Sequence, residues 1–260
     1  MKLGPQIAAV VTGGSSGLGE AAARAIAATG ARVAIFDLDA TRGKHVAHDI
    51  GGLFVSVDVG DDASVAAGLA RARAQHGVER VLVTCAGIPS AAKTVARDKA
   101  TGAATGHSMA DFTRVININL LGTFRCISQS ASAMVDLEPL ADGERGAIVC
   151  ISSVAAEDGQ VGQVAYAASK AGVAGMTLPV ARDLMNEGIR INSILPGTFA
   201  TPMLTGLSRR VRDALAAGVT FPRRPGDPCE FAALVLLLIE QAYMNASQVR
   251  IDGGLRAAGR

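Results

Sequence analysis

Tyr166 and Lys170 have the residue types and the spacing of an acid–base pair. Tyr166 is one of only two tyrosines in the chain, and Lys170 follows it by four residues, so both lie on one face of a helix. A tyrosine hydroxyl ordinarily ionises at about pH 10, and a desolvated cation beside it stabilises the phenolate. Ser152 and Ser153, shortly before them, offer a hydroxyl that can bind a substrate oxygen. The alternative is an amphipathic tyrosine at the start of a helix.

These groups suit hydride transfer at an alcohol carbon, which needs an acid–base group for the proton and a cofactor for the hydride. A dinucleotide site is indicated by TGGSSGLG, residues 12–19, which follows an apolar run. Gly13 permits a tight turn, Gly17 a close approach to a pyrophosphate, and Gly19 close helix–sheet packing. A glycine-rich turn alone is weak evidence, but the strand before it and the helix after it supply the required context.

Asp37 ends the second apolar run, about 20 residues after the glycines. A carboxylate there accepts hydrogen bonds from the ribose hydroxyls and repels a 2′-phosphate, which favours NAD over NADP. Ser15 and Ser16 place no cation in the glycine turn, and Leu38 places none after Asp37. Arg42 is the one nearby cation that can turn toward a phosphate. A simple loop carboxylate is the alternative for Asp37.

Asp58 ends the third apolar run and is followed by Val59. At this position the carboxylate can reach the adenine amino group, and the valine can line the adenine ring. A structural aspartate in a turn explains the same residue equally well.

Short apolar runs alternate with longer Ala-rich stretches along the chain. Most of the runs are continuously apolar, which is typical of strands buried on both faces. The pattern predicts a Rossmann-type, doubly wound, seven-stranded parallel sheet with helices on both faces, in one domain over residues 1–260. The predicted strands are 7–12, 32–37, 53–58, 80–85, 146–152, 189–195 and 248–252. The predicted helices are 17–29, 61–76, 111–136, 163–186 and 228–241, with Asp111 and Asp227 as N-caps.

The composition excludes several functional classes. The net charge of +2 and the absence of a basic stripe argue against nucleic acid or an anionic membrane as partner. The apolar run 231–240 is shorter than the roughly 20 residues that span a bilayer. No signal peptide is recognised, so we expect a soluble cytoplasmic protein. Four cysteines lie far apart and away from the histidines, which predicts buried thiols and no metal: Cys85, Cys126, Cys150 and Cys229.

Together these motifs resemble the short-chain dehydrogenase/reductase family, in its order and spacing and over essentially the whole chain. The shared motifs are TGGSSGLG, Asp37, CAG (85–87), Asn119 in NINLLGTF, Ser153, YAASK (166–170) and PGTFATP (196–202). Within the family, CAGIPSAAKT (85–94) and FPRRPGDP (221–228) look like the type 2 3-hydroxyacyl-CoA dehydrogenases, also called 17β-hydroxysteroid dehydrogenase type 10. The family usually has asparagine where this chain has Cys85, and that branch shares the cysteine.

The resemblance implies an NAD-dependent enzyme that moves a hydride between a 3-hydroxyacyl-CoA and NAD⁺, assembled as a homotetramer. It selects Ser153 over Ser152, and it implies that Asn119 holds a water that relays protons to Lys170. A packed helix asparagine is the alternative for Asn119. The expected cofactor-binding residues are Gly13, Ser15, Ser16, Gly17, Leu18, Gly19, Asp37, Asp58, Val59, Cys85, Ala86, Gly87, Tyr166, Lys170, Pro196, Gly197, Thr198 and Thr201.

Two stretches, 88–108 and 196–226, follow strands and are expected to form substrate-side loops. The second carries apolar residues suited to cover an acyl or steroid body. The first carries three cations that can meet the phosphates of CoA or face solvent: Lys93, Arg97 and Lys99. The expected substrate-binding residues are Ser153, Gln163, Tyr166, Phe199, Leu204 and Leu207. Gln163 is equally compatible with a surface position.

Two rival functions have to be weighed. A 3-oxoacyl-carrier-protein reductase or a hydroxysteroid dehydrogenase belongs to the same family, but Asp37 argues against a reductase driven by NADPH. A non-catalytic nucleotide-binding scaffold has no need for the complete set of Asn119, Ser153, Tyr166 and Lys170.

Overall fold

The computed structural model describes residues 1–205 and 218–256, apart from the side chains of residues 203 and 205. Its strands are β1 (Ala8–Thr12), β2 (Arg32–Asp37), β3 (Leu53–Ser56), β4 (Val81–Thr84), β5 (Val95–Arg97), β6 (Ala104–Gly106), β7 (Gly146–Ile151), β8 (Ile189–Pro196) and β9 (Gln248–Ile251). Seven of them form one parallel sheet in the order β3-β2-β1-β4-β7-β8-β9, and β5 and β6 form a separate antiparallel hairpin.

Helices cover both faces of the sheet. They are α1 (Gly17–Ala28), α2 (Ala40–Asp49), α3 (Asp62–His76), α4 (Met109–Ile116), α5 (Gly122–Met134), α6 (Val164–Asp183), α7 (Pro202–Thr205) and α8 (Pro228–Glu240). A π-helical segment, Asn117–Leu121, joins α4 directly to α5. Within the described ranges, none of these helices combines the length and the apolarity that a membrane crossing requires.

The sheet is buried on both faces, as the continuously apolar runs predict. Every residue of β1, β4, β7 and β8 is buried. One face packs against α1 and α8, where Ile26 and Phe231 lie in the core. The other face packs against α3, α5 and α6 through Leu69, Ile127 and Val173. The predicted doubly wound, seven-stranded parallel sheet is confirmed.

The parallel sheet brings four distant segments to one edge. All strand carboxyl ends lie on the same side, and β1 lies between β2 and β4, which is the position where such sheets open a ligand crevice. The segments that follow β1, β4, β7 and β8 carry the glycine turn, the CAG turn, Ser153 and residues 196–198. Residues that are remote in the sequence therefore meet because of strand order.

Helix α2, strands β5 and β6 and the short helix α7 are absent from the sequence prediction. Helix α2 is mostly polar, and only Gly43, Val46 and Ala47 of it are buried, so it lacks a clear apolar period. Strands β5 and β6 have only exposed residues and lie within 88–108, which the sequence assigns to a loop.

The helix starts are predicted in part. Asp227 caps α8 as predicted, and Glu230 completes a capping box with it. The predicted cap at Asp111 is wrong, because α4 begins two residues earlier and the Ser108 side chain accepts a hydrogen bond from the Asp111 amide. Asp111 instead lies in the first helical turn, where its charge is favourable. The single helix predicted over 111–136 is divided by the π-helical segment.

Candidate active site

The glycine turn after β1 has the shape that binding of a pyrophosphate requires. Gly13 and Gly17 have φ angles of 66° and 57°, which residues with a Cβ rarely adopt. A Cβ at Gly19 would lie 2.1 Å from the Gly13 carbonyl oxygen, so α1 approaches the turn closely. The Ser16 side chain, at the start of α1, makes no capping hydrogen bond in the described structure, which leaves first-turn amides available to an anion. The turn fits the phosphates of a dinucleotide.

Asp37 is fixed at the end of β2 beside this turn. One of its carboxylate oxygens accepts a hydrogen bond from the Ser15 amide (3.1 Å), and the other accepts one from the Asp39 amide (3.0 Å). Arg42, the cation that can turn toward a phosphate, pairs with Asp39, its Nε 2.7 Å from Oδ2. The backbone amide and the guanidinium of Arg42 lower the pKa of Asp39 below its ordinary value. A fixed carboxylate with its neighbouring cation engaged suits a ribose without a 2′-phosphate.

The turn after β3 contains both residues expected at the adenine. Asp58 is exposed, and its Oδ1 accepts a hydrogen bond from the Gly60 amide (2.8 Å). Val59 is buried, and a Cβ at Gly122 would lie 2.9 Å from its Cγ2. Asp58 therefore has a turn-stabilising role, and its contact with adenine stays a prediction.

Lys170 and Tyr166 lie together on α6, as their spacing predicts. The Lys170 Nζ atom lies 5.7 Å from the centroid of the Tyr166 ring. The lysine is buried, and its Nζ donates a hydrogen bond to the Ile151 carbonyl oxygen (2.8 Å) at the end of β7. Tyr166 is only partly buried, so a buried cation lies beside a phenol that remains accessible. This arrangement can stabilise a phenolate.

The two adjacent serines have different environments. Ser152 is buried, and its hydroxyl donates to the Lys170 carbonyl oxygen (2.7 Å). Ser153 is partly exposed, and its Oγ accepts a hydrogen bond from the Ala155 amide (3.1 Å). The Ala155 amide occupies only an acceptor lone pair of the Ser153 oxygen, so the Ser153 hydroxyl can still donate to a substrate oxygen. Ser152 fixes the position of α6 against β7, and Ser153 suits the site.

Asn119 is fully buried within the π-helical segment. Its Oδ1 accepts from the Ile88 amide (2.8 Å), and its Nδ2 donates to the Ile88 carbonyl (3.0 Å) and to Ser169 Oγ (3.1 Å). A Cβ at Gly87 would lie 3.1 Å from Asn119 Oδ1 and 3.6 Å from Lys170 Nζ, so these residues converge. The side chain fixes the loop after β4, and the water relay to Lys170 stays a prediction.

The CAG turn after β4 packs against the glycine turn. The Ala86 amide donates to Thr12 Oγ1 (3.2 Å), and a Cβ at Gly13 would lie 2.7 Å from the Ala86 nitrogen. Leu18 and Cys85 pack against the apolar core below. Burial raises the pKa of the Cys85 thiol to about 12, so it is a neutral packing group near pH 7.

The segment after β8 lies over the same crevice. Pro196 ends β8, and the amide of Gly197 donates to the last carbonyl of β9 (2.9 Å), which fixes the start of the segment. Thr198 follows. The Thr201 methyl carbon lies 3.3 Å from the place a Cβ would take at Gly17, so this segment reaches the glycine turn.

Arg250 is a structural partner of the site that the sequence prediction missed. Its guanidinium contacts Glu157 and lies 2.8 Å from Asp158 Oδ2 and from Asp252 Oδ2. It thereby joins the loop after Ser153 to the end of β9. Charged residues 92 positions apart in the sequence give no local pattern, so only the fold reveals this network.

The expected substrate residues are not all at the site. Phe199 is buried in the core, its ring 6.1 Å from that of Phe231 at 77°, so the structure corrects its expected place in an apolar lid. Leu204 is also buried. Gln163 lies at the start of α6, where its Oε1 accepts from the Gln160 amide (3.0 Å). Leu207 lies outside the described residues.

A cleft of about 570 Å³ opens between the base of the β5–β6 hairpin and residues 159–164. Gln163 and Ala167 line it from the start of α6, and Lys93 lines it from the segment that precedes the hairpin. Three exposed valines are also among the lining residues: Val95, Val161 and Val164. A cleft with both apolar and polar lining residues and one lysine can accept an apolar chain that ends in a phosphate.

Across residues 1–205 and 218–256, no cluster of His, Cys, Asp or Glu side chains is arranged to hold a metal ion. Comparisons with known proteins agree with the fold.

The family model for short chain dehydrogenases matches residues 7–212. The 3-hydroxyacyl-CoA dehydrogenase type-2 of Drosophila melanogaster is 49% identical over 249 residues, covering 95% of this chain and 96% of the fly protein. That of Homo sapiens is 44% identical over 252 residues, covering 96% and 95%. The crystal structure of 3-hydroxyacyl-CoA dehydrogenase type-2 from Mycobacterium avium, at 39% identity, has a TM-score of 0.92 and covers 100% of both chains. The chain therefore belongs to the short-chain dehydrogenase/reductase family and is an oxidoreductase.

Proposed function

We propose that this oxidoreductase moves a hydride between C3 of a 3-hydroxyacyl-CoA and NAD⁺, in the oxidation of fatty or branched-chain acyl groups. The observation that carries the proposal is the buried Lys170 ammonium beside the accessible Tyr166 ring, at the sheet edge that also holds Ser153. The substrate class is taken from the names of the relatives, which are 3-hydroxyacyl-CoA dehydrogenases.

Each side chain has a separate task in this proposal. The Ser153 hydroxyl donates a hydrogen bond to the substrate oxygen. The Tyr166 phenolate accepts the proton of the substrate hydroxyl, and in the reverse direction the Tyr166 hydroxyl returns it. The Lys170 ammonium stabilises the phenolate and would contact the ribose of bound NAD. NAD⁺, when bound, accepts the hydride. The groups that would hold it are the glycine turn, Asp37, the CAG turn, residues 58–59 and 196–198, and Thr201.

Replacing Tyr166 by phenylalanine tests this assignment. We expect Tyr166→Phe to lower kcat by about a thousandfold, within the usual contribution of a general acid or base, because only the hydroxyl is lost. Binding of NAD, measured by calorimetry, should stay within about twofold of wild type. The matched control is Tyr243→Phe, at the chain's other tyrosine, which is fully exposed. Turnover retained by Tyr166→Phe would refute the assignment.

NAD is the cofactor in this proposal because of Asp37. Both of its carboxylate oxygens accept backbone hydrogen bonds, so the charge cannot turn away from a 2′-phosphate without leaving two amides unpaired. The Arg42 guanidinium pairs with Asp39, but this exposed pair contributes little, so the preference depends on Asp37.

The ratio of kcat/KM for NAD to kcat/KM for NADP measures this preference. Asp37→Asn removes the charge that repels a 2′-phosphate and should lower the ratio by roughly a hundredfold. This corresponds to about 2.8 kcal/mol, at about 1.4 kcal/mol for each tenfold change. Asp39→Asn removes the same charge two residues later, and we expect a smaller effect because Asp37 remains. An unchanged ratio in Asp37→Asn would exclude Asp37 as the selecting residue. If Asp39→Asn lowered the ratio more than Asp37→Asn does, the selecting residue would be Arg42, because the loss of the Asp39 charge releases its guanidinium.

The acyl-CoA part of the proposal is supported by the cleft beside Gln163. Its exposed valines suit the acyl and pantetheine chains, and Lys93 on its lining suits a phosphate of CoA. Lys99 offers a comparison, because it lies in the exposed turn between β5 and β6 and is not among the residues that line the cleft.

Charge reversal distinguishes these two lysines. Lys93→Glu should raise KM for a 3-hydroxyacyl-CoA about tenfold, because an attractive contact with phosphate becomes repulsive, and Lys99→Glu should change it less than twofold. Neither change should alter KM for an uncharged hydroxysteroid. Steady-state kinetics with both substrates is the measurement. Equal effects of both variants, or equal effects on both substrates, would contradict a phosphate contact at Lys93.

A homotetramer, which the resemblance implies, completes the proposal. The π-helical segment, α5 and α6 present large apolar side chains to solvent: Leu121 is 45% exposed, Phe124 49% and Leu178 42%. A Cβ at Gly175 of α6 would meet no atom within 4 Å, so another helix can approach there. A second copy of this chain is the occupant that the proposal assigns to this surface.

Light scattering during size-exclusion chromatography tests the assembly. Phe124→Asp places a charge in the apolar surface and should lower the particle mass below that of four chains. Phe124→Leu keeps the surface apolar and should leave the mass unchanged. A wild-type mass of one chain, or an Asp variant that stays tetrameric, would contradict this assignment.

A further inference from the structure

The guanidinium of Arg125 on α5 joins two parts of the site. Its Nη1 donates to the Val59 carbonyl (3.2 Å) and to the Asn117 carbonyl (3.3 Å), and its Nη2 donates to Asn117 Oδ1 (2.9 Å). Asn117 Nδ2 in turn donates to the Gly60 carbonyl (3.2 Å). Arg125 and Asn117 therefore hold the turn after β3 against the π-helical segment.

Side-chain donors supplement the backbone bonds of the π-helical segment. Its wide turns shift the partner of a carbonyl from the amide four residues later to the amide five residues later. The Asn117 carbonyl accepts from the amide of Gly122, five residues later, and from Arg125. The Asn119 carbonyl accepts from the Thr123 hydroxyl (2.8 Å). Side chains from the start of α5 thus stabilise the segment that contains Asn119.

The contacts of Arg125 differ in burial, and this indicates which of them matter. Its Nε lies 2.6 Å from Asp62 Oδ1, but the Asp62 side chain is 77% exposed, and exposed ion pairs contribute little. The Arg125 side chain itself is only 18% exposed. The other donors of its planar fork serve three part-buried acceptors on two residues, and the compact ammonium of lysine does not reproduce the reach and planarity of this fork.

We propose that Arg125 is a positioning residue that sets the adenine-side turn, 58–60, and the π-helical segment with Asn119 relative to each other. It acts through the Val59 carbonyl on the adenine end of the cofactor and through Asn117 on the segment that holds the Ile88 loop. The inference rests on the proposed binding of NAD, and it names a determinant of cofactor affinity outside the glycine turn and Asp37.

Calorimetry with AMP, which carries only the adenine half of the cofactor, isolates this role from catalysis. Arg125→Met should weaken binding of AMP and of NAD by the same factor, roughly tenfold, as expected when hydrogen bonds from a charged donor are lost. Arg125→Lys should weaken binding of AMP and of NAD nearly as much, because lysine keeps the charge but lacks the planar fork. Asp62→Asn removes only the exposed carboxylate, and we expect both affinities to stay within about twofold of wild type.

Asn117→Ala removes the other half of the contact and should reproduce the loss of AMP affinity, so the proposal remains testable if Arg125→Met fails to fold. AMP affinities of wild-type strength in folded Arg125→Met or in Asn117→Ala would overturn it. Full rescue by Arg125→Lys would also overturn it, because a charge alone would then suffice. Failure of the wild-type protein to bind NAD would instead reject the proposed function.

Discussion

The buried ammonium of Lys170 is the constraint that organises this site. A charge removed from water is unfavourable unless polar groups surround it. Lys170 meets the Ile151 carbonyl at the end of β7 and the ring of Tyr166. The Ser152 hydroxyl bonds to the Lys170 carbonyl and fixes the same register. Because α6 cannot slide along β7 without leaving this charge unpaired, the sheet determines where Tyr166 lies.

Two arginines fix further loops around the crevice. Arg125 joins the turn after β3 to the π-helical segment, and Arg250 joins the loop after Ser153 to the end of β9. Each serves several acceptors with one planar group, which fixes direction as well as distance. The turn expected at the adenine and the loop that follows Ser153 are therefore each tied to a neighbouring element, as a preorganised site requires.

The sequence predicts the parts of this molecule that depend on short spacing or continuous burial. Most of the sheet strands are largely apolar, and Tyr166 and Lys170 are one helical turn apart, so both features can be predicted from the local sequence. Helix α2 has too few buried residues for a period, and the direction of Phe199 into the core depends on Phe231 of a later helix. The contacts of Arg125 and Arg250 join residues far apart in the sequence, which only the strand order brings together.

The π-helical segment and the small residues of α6 together allow α6 to pack closely against the segment that carries Asn119. Ser169 accepts from Asn119 and donates to the Tyr166 carbonyl, so a short chain of hydrogen bonds runs from α6 to the loop after β4. This chain of hydrogen bonds requires α6 and the π-helical segment to lie very close to each other. Gly172 allows this, because a Cβ there would lie 2.8 Å from a methyl carbon of Leu120. Glycine inside a helix costs about 1 kcal/mol relative to alanine, and here that cost is offset by a contact that places Tyr166 and Asn119 at fixed positions.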